Sequence, residues 1–376
     1  MSFKGQFPFF KKFPSFIYAD SAATTLKPYT VLKALVKGYT LYTVPAGKSL
    51  YSKAEEALEA CQIFTKETIN RILKNTCYDI FFGQTVSILF DRFFLLLKEM
   101  YSDRETIKIL VPLTIHNAII LPVEYFFKKK RQYLFFKNID EIKSEIQEAD
   151  IVIIPSVDHV TGEIISATYI ELLKKEYPEV LFIIDASQSF STYPYSLKNS
   201  SIDAIVWSSH KMYGPDNIAI LMIKKKVTLS LSKLEILEND LSRLESFFKC
   251  GSFSYPALFA FQKALFWTEE NIYKQELYKQ KRNNHINILL SELQKISSIK
   301  LISHLTSETL ITFTHSTINA HDIALLFSKS EIGIRSGDLC TRFLPYKKGL
   351  CRISLGIYNT EKDILTIKKA IKSILL

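Results

Sequence analysis

Ala204-Ile-Val-Trp207, followed at once by Ser208-Ser-His-Lys-Met-Tyr-Gly-Pro215, is the stretch on which the reading of this 376-residue chain turns. An apolar run of strand length stops at two serines, a histidine and a lysine, then bends at Gly-Pro. The run before it behaves alike: Val180-Leu-Phe-Ile-Ile184 stops at Asp185-Ala-Ser-Gln188. Ile107–Val111, Ile151–Ile154 and Ile218–Ile223 are further runs of the same length, each ending near Pro, Asp, Ser or Lys. Amphipathic stretches, Ala54–Leu73 ahead of them and Thr168–Tyr177 between two of them, read as helices. Apolar strands alternating with helices predict an α/β fold with a mostly parallel sheet covered on both faces. Such sheets bind ligands at the carboxyl ends of their strands, where Asp185 and Ser208–Lys211 fall.

From about Ser254 the texture changes. A long helix is expected through Ala257–Leu293, then strand-like pieces at Leu310–Thr314 and Gly349–Ser354, then an amphipathic helix from Glu361. This predicts a large domain over 18–265 and a smaller α+β domain formed by 266–376 with residues 1–17.

Composition narrows the class. The chain is 47% hydrophobic and 23% charged, which fits a globular protein with a large core. Its 11 glycines are few for this length, which excludes collagen-like and glycine-linker classes. Five cysteines, Cys61, Cys77, Cys250, Cys340 and Cys351, form no C-x-x-C pair, so reduced thiols in a cytoplasmic protein are expected rather than a disulfide framework. The net charge is +10. Basic clusters such as Lys128–Arg131 and Lys224–Lys226 lack interleaved aromatics, so they read as solvated faces and no nucleic acid is expected. No apolar run approaches the ~20 residues of a membrane span. The N-terminal stretch, broken by Pro and Lys, has no apolar signal-peptide core.

A lysine at a strand end beside Ser, Ser and His suits an anion-binding turn. Pyridoxal phosphate requires this set: a lysine amine for a Schiff base, an acid for the ring nitrogen, and donors for the phosphate. Spacing alone leaves open a buried Asp185 and a surface Lys211 in separate loops.

Ser208–Pro215 resembles the S-x-H-K-x-x-G-P signature of class V, fold-type I pyridoxal-phosphate enzymes. The nearest group is the cysteine desulfurases that include selenocysteine lyases. The likeness runs from Tyr18-Ala-Asp-Ser-Ala-Ala-Thr-Thr25 to Tyr358-Asn-Thr-Glu361, and Arg335-Ser-Gly-Asp-Leu-Cys340 and Cys351-Arg-Ile-Ser-Leu355 recur in order. The resemblance implies that Lys211 bonds the cofactor and moves protons, while Asp185 pairs with its ring nitrogen. Gln188 then reaches the phenolic oxygen, and Ser208, His210 and Thr85 hold the phosphate. It also implies that His116 stacks on the ring and that Ser252 contacts the phosphate of a neighbouring subunit, hence a homodimer. Arg352 would clamp the substrate α-carboxylate. Cys340 would attack the substrate sulfur to form a persulfide, leaving alanine, with Arg335 supplying a positive field that Asp338 opposes. A sulfur-acceptor protein in iron–sulfur cluster or thio-cofactor synthesis would follow. Cys351, in an apolar run, reads as structural.

Several positions depart from the family pattern. Ser21 replaces an asparagine, Ile115 a glutamate, His159 an asparagine, and Phe247 an arginine. Gly83-Gln-Thr-Val-Ser87 replaces the G-T-T-E loop, and Asp338-Leu339 replaces a histidine-bearing loop. The cofactor residues match better than the substrate residues, and His159 is itself a candidate contact for cofactor or substrate. Rival readings are an aminotransferase, epimerase or selenocysteine lyase of the same fold, and a non-catalytic paralogue acting as a binding partner. No metal site is expected. Gly47, Gly83, Gly162, Gly214, Gly251 and Gly337 fall in the segments singled out here, most of them near the proposed site, where a tight turn or close approach needs glycine.

Overall fold

The computed structural model describes residues 3–46, 49–128, 130–193, 195–237, 240–249, 251–305, 307–344, 346 and 349–376. Gly47 and Cys250 lie outside the described residues. The main sheet has seven strands: β1 (Tyr78–Gly83), β2 (Ile107–Pro112), β3 (Arg131–Phe136), β4 (Ile151–Pro155), β5 (Leu181–Asp185), β6 (Ala204–Ser208) and β7 (Ala219–Lys224). Their spatial order is β1-β7-β6-β5-β4-β2-β3. Only β7 runs against its neighbours; the remaining contacts are parallel. Central strands β4 and β6 are buried at every residue, which is why they read as unbroken apolar runs. Sequence reading missed β3, an edge strand whose residues are mostly half-buried or exposed and which begins at the arginine of a basic cluster.

Side chains alternate between the two faces with the strand period of two. Phe81, Ile109, Val111, Ile153, Ile183 and Val206 pack on one face with Phe93 and Phe94 of α1 (Val86–Met100) and Ile119 and Ile120 of α2 (Asn117–Phe126). Phe82, Leu110, Val152, Ile184, Ile205 and Trp207 face the other way, toward Leu258 and Phe261 of α3 (Tyr255–Thr268). The helix expected over Ala54–Leu73 forms as Ser52–Leu58 and Phe64–Leu73, joined without a break by a wider turn at Glu59–Ile63.

The helix expected through Ala257–Leu293 is two helices, α3 and α4 (Glu276–Leu293). The interruption has a local cause. The backbone widens at Glu269–Tyr273, Lys274 N–H reaches back to the Glu269 carbonyl, and Gln275 leaves helical geometry at φ −111° and ψ 81°. Tyr273 is held there by donating its hydroxyl proton to the Phe190 carbonyl (2.7 Å).

A second, four-stranded antiparallel sheet follows, built from β8 (Ile299–Leu301), β9 (Leu310–His315), β10 (Arg335–Gly337) and β11 (Leu350–Ser354) in the order β10-β11-β9-β8. Ile311, Phe313, Cys351 and Ile353 pack against Ile286, Leu289 and Leu293 of α4 and Ile364, Ile367 and Ile371 of α5 (Glu361–Leu375). Near the other end of the chain, Ile17–Tyr18 pairs in parallel with Ile332–Gly333, and Asp20 bridges to Ser354. Phe7 packs edge-on against both Trp267 and Tyr358. This aromatic cluster includes Tyr213, next to the lysine turn. Among the described residues, no helix is long and apolar enough to cross a membrane, and no group of three His, Cys, Asp or Glu could hold a metal ion.

Candidate active site

The carboxyl ends of β1, β5 and β6 open into a cleft of about 380 Å³, closed on its far side by β10, β11 and the loop between them. Strand β6 delivers Ser208 to its floor, and the tight turn Ser209–Lys211 follows. The N–H groups of both Met212 and Gly214 converge on the Ser209 carbonyl. A Cβ on Gly214 would sit 2.1 Å from Ser209 Oγ, so this approach requires glycine. The segment after Tyr18 straps the turn down: Thr25 Oγ1 accepts from Tyr213 N–H (2.6 Å) and donates to the His210 carbonyl (2.9 Å). Burial pushes the Lys211 amine below its ordinary pKa; Asp185 pulls it back up, and Arg352 adds to the downward push. The shift runs toward the neutral form of the amine, the form that acts as base or nucleophile.

Asp185 ends β5, and its Oδ1 accepts the Ser187 N–H (2.9 Å). Thr85 is the N-cap of α1, accepting from Ile88 N–H. His116 is the N-cap of α2, its Nδ1 accepting from Ala118 N–H (3.0 Å). Burial, then the Lys211 charge, pushes the His116 ring down to about 4. His210 is likewise held at about 4, by burial and then Lys211 and Lys27. Both rings are therefore neutral at pH 7. His159, in the turn after β4, lies 5.1 Å from the His116 ring at 66°.

Arg352, on β11, is only 4% exposed. Its Nη1 donates to the His159 carbonyl (2.9 Å), and its Nη2 reaches Asp20 Oδ1 at 3.5 Å. Arg335 stands opposite it on β10. Cys340 follows in the loop from β10, where Gly337 (φ 119°), Leu339 (φ 53°) and Cys340 itself (φ 59°) all take left-handed backbone conformations. Asp338 Oδ1 accepts the Cys340 N–H (2.9 Å), and Asn117 N–H donates to the Cys340 carbonyl (2.9 Å).

Of the residues singled out from sequence, Lys211, Asp185, Ser208, His210, His116, Thr85, Arg352, Arg335, His159 and Cys340 all line this cleft. Gln188 and Ser252 do not. Gln188 is buried beside it, donating from Nε2 to the Ala22 carbonyl (2.8 Å). Exposed Ser252 lies in a separate surface groove with Thr43 and Tyr255, its carbonyl accepting from Gln84 Nε2. Asp20 is a residue that sequence reading quoted without giving it a role. Burial raises its carboxyl pKa against the pull of Arg352 and Arg335.

The donor set fits pyridoxal phosphate. An amine, a carboxylate and a cluster of hydroxyl and imidazole groups share one cleft, within the usual ~300–1,000 Å³ of ligand sites. Among the described residues, Ser208 Oγ and Arg352 Nε are buried without a hydrogen-bond partner, as groups meant for a phosphate and a carboxylate would be.

Comparison with known proteins agrees with this geometry. The family model for aminotransferase class-V matches residues 17–367. A probable cysteine desulfurase of Mycoplasma genitalium is 23% identical over 99% of this chain and 95% of its own. One from Borreliella burgdorferi is 27% identical over 97% of this chain and 94% of its own. Among solved structures, a cysteine desulfurase from Thermococcus onnurineus superposes with a TM-score of 0.83 at 18% identity, covering 99% of this chain and 97% of that one.

Proposed function

The chain belongs to the aminotransferase class-V family, a family of pyridoxal-phosphate-dependent enzymes, and from that premise we propose that it is a cysteine desulfurase. It converts L-cysteine to L-alanine and carries the released sulfur as a persulfide on Cys340. The observation that carries this reading is a single cleft shared by Lys211, Asp185, Arg352 and Cys340. Its relatives named cysteine desulfurase support the same assignment.

When bound, pyridoxal phosphate supplies an electron sink for bonds at the substrate Cα and Cβ. Ser208, His210 and Thr85 would hold its phosphate, Asp185 would pair with its ring nitrogen, and neutral His116 would pack against it. Gln188 anchors the adjoining wall through Ala22. Arg352 offers the substrate carboxylate a planar fork, exchanging its long contact with Asp20 for a better one. The Lys211 amine takes the proton from the substrate Cα. The Cys340 thiolate attacks the substrate sulfur: the new S–S bond forms as the Cβ–S bond breaks, and the carbon keeps the electron pair. Protonation of that carbon gives the methyl group and Lys211 returns a proton to Cα, so alanine is released and no outside oxidant is needed. Arg335, beside the loop, offsets the negative charge of the thiolate.

The enzyme works as a cytoplasmic homodimer. Ser252, which lies outside its own cleft, serves the phosphate of a neighbouring subunit in this reading, as the family resemblance implies. Unpaired Cys61, Cys77, Cys340 and Cys351 suit a reducing compartment. An acceptor protein in iron–sulfur or thio-cofactor synthesis takes the sulfur.

Mass spectrometry of the cofactor-loaded protein after treatment with L-cysteine tests this. The peptide carrying Cys340 is expected to gain one sulfur atom. Cys340→Ser is expected to keep the cofactor's visible absorbance and lose both the adduct and sulfide release. Unimpaired turnover in that variant eliminates the persulfide route.

A further inference from the structure

We propose that His159 is a positioning residue whose imidazole latches the nucleophile loop while its own carbonyl holds the carboxylate clamp, so that one residue sets Cys340 against Arg352. The inference rests on the reading of Cys340 as nucleophile and concerns how that cysteine is held.

His159 is 8% exposed, and its Nε2 lies 3.0 Å from the Leu339 carbonyl oxygen. A carbonyl can only accept, so Nε2 carries the proton and donates it. Burial first, then the charges of Arg352 and Lys211, hold the ring well below its ordinary pKa and so neutral, which leaves Nδ1 without a proton. The ring therefore spends its single donor on the loop rather than on a ligand. From the same residue, the main-chain carbonyl accepts Arg352 Nη1 at 2.9 Å.

The loop needs such a latch. Leu339 and Cys340 are consecutive non-glycine residues with positive φ, a conformation in which the side chain crowds its own backbone. It persists only if surroundings hold it. Asp338 satisfies the Cys340 N–H from within the loop. Among the described residues, the hydrogen bonds that reach Leu339 and Cys340 from outside the loop are Asn117 N–H to the Cys340 carbonyl and the His159 ring to the Leu339 carbonyl, and of these the second comes from a side chain. The Leu339 side chain also packs on Val160, next to His159.

The latch is itself fixed. Asp158 Oδ1 accepts the N–H groups of Val160 (2.8 Å) and Thr161 (2.7 Å), and Thr114 Oγ1 donates to Asp158 Oδ2. The turn bearing His159 is thereby anchored to the main sheet. Cleft and nucleophile loop, which come from different sheets, are joined across this contact.

Two substitutions separate a latch from a ligand contact. In H159Q the terminal amide nitrogen falls near the Nε2 position and keeps the donor to Leu339. In H159N it falls near Nδ1, which faces away from that carbonyl. Hydrogen exchange of residues 338–341 in the cofactor-loaded full-length protein reads the latch directly, and the rate of Cys340 alkylation by iodoacetamide reads its consequence. H159N is expected to speed exchange of the Cys340 and Thr341 amides about ten-fold, the equivalent of one lost hydrogen bond. It is also expected to slow single-turnover sulfur transfer by about the same factor, with cofactor affinity unchanged. H159Q is expected to stay close to the parent protein in all three. An H159Q protein as loose as H159N, or unchanged exchange in both, overturns the proposal. So does a loss of cofactor affinity in H159N with its exchange unchanged, which would make His159 a cofactor contact. Because exchange can also be measured in Cys340→Ser, the latch stands or falls separately from the persulfide reading.

Discussion

Arg352 carries a full charge with almost no water around it, and the protein gives it few partners: one carbonyl, one distant carboxylate, and none for Nε. A carboxylate ligand completes that set. Arg352→Lys keeps the charge but loses the fork, and a charge-assisted hydrogen bond is worth ~1.5–3 kcal/mol. The expected result is a KM for L-cysteine raised about 10- to 100-fold, with cofactor affinity unchanged, measured by initial rates and cofactor fluorescence titration. At this scale the sequence was informative where chemistry demands a rare residue in a rare place, as with Lys211, Asp185 and Cys340. It was silent on Asp20. An acid after a two-residue strand looks like any loop residue, and it is the tertiary pairing of Ala19–Ala22 with Ser354 that brings it to Arg352. His159 was visible as a departure, but the direction of its ring depends on a loop 180 residues away in the chain.

Elements position the site through their ends. Thr85 and His116 both cap helices at the rim, so two groups proposed to meet the cofactor also satisfy orphan backbone donors. Thr85→Ala is expected to cost about 1 kcal/mol of stability through the lost cap, and to weaken cofactor binding as well. Thr85→Ser, which keeps the hydroxyl, is expected to recover both; urea denaturation and cofactor titration measure the two effects. The buried strands were legible because burial on both faces removes polar residues from them. The edge strand β3 was not, since its outer side pairs with nothing and tolerates Arg, Gln and Tyr. The break between α3 and α4 was also hidden. Apolar periodicity continues across it, and the tie from Tyr273 to Phe190 that holds it is a tertiary contact.

At the scale of the whole molecule, three imidazoles line one cleft, His159 buried and the other two half-buried, with His116 and His210 held at about 4 and His159 well below its ordinary value. In the unfolded chain each titrates near ~6.5. Below that pH the unfolded chain binds protons that the folded chain refuses. Stability present above pH ~6.5 is therefore lost as the pH falls toward 4, by up to ~1.4 kcal/mol per pH unit for each ring. Urea midpoints of the cofactor-free protein are expected to fall between pH 7 and pH 5, and His210→Asn to flatten that decline. A midpoint that is flat over this range, or an equally steep fall in the variant, contradicts the assignment. The pairing of Ile17–Tyr18 with Ile332–Gly333 joins the two ends of the chain. A ribosome makes those ends at different times, N-terminal part first. Thr85, His116, Asp185 and Lys211 have all left it while Arg335, Cys340 and Arg352 are still unmade. During its own synthesis the growing polypeptide thus makes the residues proposed to hold a cofactor before those proposed to use it, so a chain interrupted between them is expected to release no sulfide from L-cysteine.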